Sequence, residues 1–139
     1  MKLLLTIFIS LLSFNLSIAQ DRQISLKQMQ VSQYYPEAKE YKVVQEWCDY
    51  PGTVLLRDSM MYIGGETDKL EDLSSWAKYR LNLPPVKEVK DEFWRENSVW
   101  YVADSEMECV VDIRYYNDGS IIFEQVMGYY ILRFKVTLS

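Results

Sequence analysis

Residues 99–138 read VWYVADSEMECVVDIRYYNDGSIIFEQVMGYYILRFKVTL, and this stretch decides the fold. It divides into four apolar-alternating runs, Val99–Asp104, Glu108–Tyr116, Ile121–Val126 and Tyr129–Leu138, separated by turn residues. The registers of the three hairpins can be tested against one another, because a strand's side chains alternate faces with a period of two. A two-residue loop at Ser105-Glu106 pairs Val102 with Cys109 and Trp100 with Val111. Asn117-Asp118-Gly119 favours a three-residue loop with Gly119 in the left-handed region, which pairs Tyr115 with Ile121 and Ile113 with Phe123. A two-residue loop there would set Ile113 against Glu124. A tight turn at Met127-Gly128 pairs Phe123 with Leu132 and Ile121 with Phe134.

All three registers gather Trp100, Val102, Cys109, Val111, Ile113, Tyr115, Ile121, Phe123, Leu132, Phe134, Val136 and Leu138 on one face. The other face receives Glu108, Asp112, Arg114, Glu124, Arg133 and Lys135. Turn chemistry and face assignment agree, as they do in a real antiparallel meander. One cross-strand pair, Asp112 with Glu124, is like-charged, and Arg114 or Arg133 is the available counter-charge.

Upstream, Tyr41–Trp47 reads as a strand and Pro51-Gly52 as a turn. Thr53–Arg57 and Met60–Gly64 form a hairpin about Asp58-Ser59, with Leu56 facing Met61 and Val54 facing Ile63. Residues 68–76 have helical spacing at Leu70, Leu73 and Trp76, with Asp68 and Glu71 as a capping box. This predicts a helical turn followed by a strand over Tyr79–Leu83, which Pro84-Pro85 stops. The charged run 86–97 reads as a connecting loop. Gln20–Glu40 reads as a polar leader or a short helix packed on the domain. The expectation is therefore an all-β or mostly β domain over residues 41–139. About seven or eight antiparallel strands would close as a small barrel, in preference to a sandwich.

The N-terminus, Met1-Lys2 followed by an apolar run through Leu12 and then Ser17-Ile18-Ala19, has the pattern of a cleavable signal peptide over residues 1–19. The polar run Gln20-Asp21-Arg22-Gln23 arrives too early for a bilayer-spanning helix of about 20 apolar residues. The expected location is periplasmic or secreted, with no membrane span after cleavage. Lys2 is the only charge in the first nineteen residues, so the remainder carries 14 basic against 20 acidic residues. Such a domain is a poor ligand for phosphate backbones, and nucleic acid is not an expected partner.

The chain has no histidine. This removes the usual general base of Ser and Cys hydrolases and the commonest zinc ligand. Neither GxGxxG, Walker A nor CxxC occurs, and no cofactor or metal is expected. Cys48 and Cys109 are an even count in an exported chain, which suits a disulfide; two small buried thiols that never meet suit the sequence as well. Acidic clusters stand at Glu66, Asp68, Glu71 and Asp72 and at Asp104, Glu106 and Glu108. They are the raw material of a carboxylate-based hydrolase or a calcium site, though neither has EF-hand spacing.

The stretch Trp100–Val136 resembles the C-terminal part of small exported β-domain proteins of Bacteroidota. In that pattern a strand ends in Asp (Asp104), a Cys opens the next (Cys109), and an Asp-Gly turn (Asp118-Gly119) leads to an aromatic hairpin (Tyr129-Tyr130). Ala19 followed by Gln20 at the cut is similar to such proteins too. The resemblance covers about a quarter of the chain. It implies a β fold and export, and no activity.

Of the four Trp, eleven Tyr and five Phe, most are needed to fill a small β core. Trp94, Tyr101, Tyr116 and Tyr129 fall on the charged face or in loops and are the candidate ligand-binding residues. The expected function is a non-enzymatic binding or interaction module of the envelope or extracellular space. Its partner would be an envelope or extracellular protein, a glycan or a small apolar ligand. The alternatives are the carboxylate hydrolase and a structural accessory that pairs the terminal strand, Tyr129–Leu138, as a free edge.

Overall fold

The computed structural model describes residues 21–138, so the signal peptide expected over residues 1–19 lies outside the described residues. Eight antiparallel strands follow one another around a closed ring. They are β1 (Arg22–Tyr35), β2 (Glu40–Arg57), β3 (Met60–Gly65), β4 (Ala77–Val89), β5 (Phe93–Val102), β6 (Glu108–Tyr116), β7 (Ile121–Met127) and β8 (Tyr130–Leu138). Each pairs with its neighbours in sequence, and β1 closes the ring on β8 through partners from Ile24 with Leu138 to Gln33 with Tyr130. The expected barrel is the observed one.

Ring closure explains the sidedness. Ile24, Leu26, Val54, Met61, Tyr79, Trp100, Cys109, Val111, Ile113, Phe123, Phe134 and Val136 fill the interior as one buried cluster. Of the apolar face expected for residues 100–138, Leu138 alone stays exposed, at the barrel end. Burial of each large apolar side chain contributes about 1.5–3 kcal/mol. The alternate positions carry Arg95, Asp112, Arg114, Glu124, Arg133 and Lys135 on the outer wall. A lipid-facing barrel has the reverse arrangement, an apolar band outside and a polar lumen. Among the described residues no helix is long and apolar enough to cross a membrane.

Two hairpins have the registers expected: Tyr115 with Ile121 across β6–β7, and Leu56 with Met61 across β2–β3. Two others are displaced by two residues. Trp100 pairs with Cys109, because the β5–β6 loop is longer than Ser105-Glu106. The Ala103 N–H bonds the Lys78 carbonyl at 2.9 Å, Asp104 adopts φ 64°, and the Ser105 hydroxyl accepts from the Met107 N–H. Phe123 pairs with Phe134, because the last turn falls on Gly128-Tyr129 with Gly128 at φ 55°. A displacement of two leaves every side chain on its original face, so both face assignments survive.

The remaining differences concern strands hidden by irregularity. Gln20–Glu40 is neither a leader nor a packed helix over most of its length: Arg22–Tyr35 is a full wall strand. Register slips at Leu26–Gln28 and again between Met29 and Ser32 break its alternation. Pro51-Gly52 does not turn the chain but lies inside β2, with Gly52 pairing Leu26 on one side and Gly65 on the other. Of residues 86–97 only 90–92 form a loop; 86–89 end β4 and 93–97 begin β5. β4 runs through Pro84-Pro85 because slips at Leu81, Leu83 and Val86 absorb both rings. The helical turn expected over 68–76 contracts to a single 3-10 turn, Leu73–Ser75, capped by Asp72 instead of Asp68. β8, expected to offer a free edge, is paired on both sides.

The candidate functional site at the barrel ends

Strand polarity sorts the connections into two ends. One end carries Arg22, the Asp58-Ser59 turn, loop 90–92 and the Asn117–Ser120 turn. The other carries the Pro36–Lys39 turn, loop 66–76, loop 103–107 and the Gly128-Tyr129 turn.

The Arg22 end is shut by polar side chains. Arg22 reaches across the lumen to Glu96, with Nη1–Oε2 3.1 Å and Nη2–Oε1 3.3 Å. The Tyr115 hydroxyl accepts from Arg22 at 2.7 Å and donates to Glu96 at 2.8 Å. Burial pushes the Tyr115 hydroxyl up to about 12, with Glu96 reinforcing the shift and Arg22 opposing it. Beneath this triad lies a cavity of about 20 Å³, lined by Leu56, Pro85, Ser98, Trp100, Val111, Ile113 and Phe123. That is room for about one water molecule.

The outer wall carries a ladder of charges. Asp112 and Glu124 face each other across β6–β7, the like-charge pair expected. Arg114 donates to Asp112 at 2.8 Å and Arg133 to Glu124 at 2.7 Å, so both candidate counter-charges are in place. Arg95 adds a longer contact to Asp112, 3.9 Å, while bonding Glu88 at 2.8 Å. The Oδ1 of Asp112 is buried without a hydrogen-bond partner among the described residues.

The opposite end is built from tyrosines. Tyr34 and Tyr41 are cross-strand partners on the β1–β2 hairpin, their rings 5.0 Å apart. Tyr129, in the β7–β8 turn, stacks on Tyr34 at 6.0 Å and 6° between planes. The Tyr34 N–H bonds the Tyr129 carbonyl at 2.7 Å and locks the two turns together. Tyr35 and Tyr130 are their sequence neighbours; Tyr34 is half-buried and the other four are exposed. The connecting segments of the same barrel end carry Glu37, Glu66, Asp68, Glu71, Asp72, Asp104 and Glu106 against Lys39 and Lys69. The Ser75 hydroxyl and the Gly65 N–H donate to Asp68 and hold its carboxyl below the usual range. Ser74 does the same for Asp72.

The structure does not bring the four sequence candidates together. Trp94 stacks on Tyr115 at 4.0 Å, at the Arg22 end. Tyr116 packs against Phe93 nearby, at 5.3 Å. Tyr101 lies under the Arg80 guanidinium at 4.4 Å. Tyr129 alone joins the tyrosine rim, where Tyr34, Tyr35, Tyr41 and Tyr130 were missed. The signal was present in Tyr34-Tyr35-Pro36: read as the start of a hairpin, it sets Tyr34 opposite Tyr41.

Cys48 is exposed on β2 and Cys109 is buried in the lumen, and both are free thiols; the disulfide is not formed. Burial pushes the Cys109 thiol up to about 11, against a hydrogen bond from Gln125 that lowers it. Among the described residues no group of three or more Cys, Asp or Glu is placed to hold a metal ion.

In comparisons with protein-family models, characterised proteins and solved structures, nothing matches this chain. Fold and surface define it as an eight-stranded up-and-down barrel with a filled interior and a tyrosine-lined rim.

Proposed function

We propose that the protein is a non-enzymatic binding module, exported to the envelope or the extracellular space, that docks a macromolecular partner on its tyrosine rim. The observation that carries this reading is the stack of Tyr34, Tyr41 and Tyr129, with Tyr41 42 % and Tyr129 60 % exposed, at the end of a barrel whose core they do not fill. Rigid tyrosines with little entropy to lose are favoured contact residues. The lumen cavity among the described residues, about 20 Å³ beneath Arg22 and Glu96, is too small for a small apolar ligand and favours a surface partner.

A carboxylate hydrolase needs an acid of raised pKa facing a second carboxylate in a cleft. Asp68, Asp72, Glu88 and Asp118 are shifted the other way by their hydrogen bonds, which supports the binding reading over the catalytic one. The test is retention of purified protein on isolated envelopes, wild type against Tyr34→Ala/Tyr41→Ala/Tyr129→Ala. Loss of retention in a variant that still melts cooperatively supports the reading. Equal retention overturns it.

A further inference from the structure

We infer that the rim receives an arginine-bearing segment of a partner protein, with a guanidinium on the Tyr34, Tyr41 and Tyr129 rings and the acidic loops of the same barrel end holding its charge. The inference rests on the rim being the binding surface. Elsewhere on the barrel, four aromatics are covered by the chain's own cations. Lys87 sits over Trp94 at 4.5 Å, Arg80 over Tyr101 at 4.4 Å, Lys135 over Trp47 at 4.5 Å and Arg114 over Phe93 at 5.6 Å. On the rim, Lys42 covers Tyr35 at 5.6 Å. Among the described residues, no cation lies over Tyr34, Tyr41 or Tyr129.

The charge balance points the same way. The segments joining strands at this end hold seven carboxylates against two lysines, and Lys78 and Arg80 reach in from β4 to bond the Ser74 and Ser105 carbonyls, which leaves an acidic excess. The faces of aromatic rings attract cations, and carboxylates around them add long-range attraction and orientation. The rings are already held by a strand pair and by the 2.7 Å Tyr34–Tyr129 backbone bond, so little ordering is needed on binding. Arginine suits the site better than lysine, because its planar guanidinium stacks on a ring and forks to a carboxylate together.

The test is a fluorescence-anisotropy titration of the purified protein with labelled nona-arginine, at low and at physiological salt. Wild type should bind, and Tyr34→Ala/Tyr41→Ala/Tyr129→Ala, whose net charge is unchanged, should bind about tenfold more weakly. The corresponding Tyr→Phe triple variant should keep the affinity. If the alanine variant loses its cooperative melt, Tyr129→Ala in the exposed turn replaces it, with a loss of about threefold expected. Equal binding by the alanine variant, which would reduce the effect to bulk charge, overturns the inference. So does absence of nona-arginine binding, or a preference for nona-glutamate or a neutral glycan. If envelope retention falls in the alanine variant while nona-arginine binding does not, the rim remains a binding surface and its basic partner is ruled out.

Discussion

Arg22 on β1 and Glu96 on β5 stand on opposite walls of an eight-strand ring and are joined by a two-point ion pair through the lumen. Tyr115 on β6 bonds both, so β1 is tied to the β5–β6 hairpin across one barrel end. The Glu96 side chain is only 19 % exposed. Removing Arg22 therefore leaves a largely desolvated carboxylate facing a phenol. Arg22→Met should cost about 2–3 kcal/mol, read from the midpoint of a urea melt. Arg22→Met/Glu96→Leu should be more stable than Arg22→Met alone, because both charges then leave together. A double variant no more stable than the single one would mean that the pair has no such coupling.

Gly64 is required by an aromatic ring. A Cβ built there would meet the Trp76 ring at 2.7–2.8 Å, and a Cβ on Gly52 would meet the Gly64 carbonyl oxygen at 2.6 Å. Trp76 thus lies flat on β3 and anchors loop 66–76, with its indole N–H bonding the Lys69 carbonyl at 3.2 Å. Gly64→Ala should displace the ring and destabilise by about 1–3 kcal/mol. Tryptophan emission should move to longer wavelength as Trp76, now 4 % exposed, is wetted. An unshifted spectrum would show that the loop does not depend on this contact.

How much of this was legible depended on whether alternation survived along each strand. In β6 and β7 it does, and Asp118-Gly119 fixes the register between them, so Ile113 opposite Phe123 followed from sequence alone. In β1 the slips near Leu26 and Val31 put consecutive polar and apolar residues out of phase, and a wall strand read as a leader. In β4 and β5 charges outside loop 90–92 face one another across the pair, as with Glu88 and Arg95, and mark paired strands. The rim was half legible: Tyr129 stood out beside a glycine turn. Tyr34 and Tyr41 acquire their meaning only once β1 and β2 are known to pair.

The buried acids with high pKa values set an alkaline limit. Cys109 is raised to about 11 and Tyr115 to about 12, each mainly by burial. Both groups are held protonated in the fold, so their contribution is complete below the unfolded values of about 9 and 10. It is lost as pH rises through the folded ones. Stability should begin to fall near pH 9, by about 3 kcal/mol in all for Cys109 as pH passes through 9 to 11 and by a similar amount for Tyr115 through 10 to 12. Cys109→Ala should be less stable at pH 7 yet hold its stability level to about pH 10, measured by urea melts across the range. A wild-type profile that stays flat from pH 9 to 11 would contradict the burial of these groups.

The Asp58-Ser59 turn adopts φ 50° and 62°, the left-handed pair of a two-residue hairpin. Neither residue is glycine; the Ser59 carbonyl accepts from the Leu81 N–H at 2.9 Å, but that bond needs no side chain, so the left-handed geometry is strained by the Cβ alone. Ser59→Gly should stabilise by about 0.5–1 kcal/mol, with the Leu56–Met61 register unchanged. A thermal melt checks the sign, and a destabilised variant would show that Ser59 is held by contacts beyond its backbone.

The two thiols should differ sharply in reactivity. Cys48 lies on the outer part of β2, accepting from Gln45 Nε2 at 3.0 Å, whereas Cys109 is wholly buried with its thiolate disfavoured. Maleimide should therefore add once to the native protein, at Cys48, and a second time only after unfolding. Mass spectrometry of the labelled chain reads both events. A native protein that takes no label until it is reduced would restore the disulfide. Two rapid additions would mean that the barrel opens readily enough to expose its lumen.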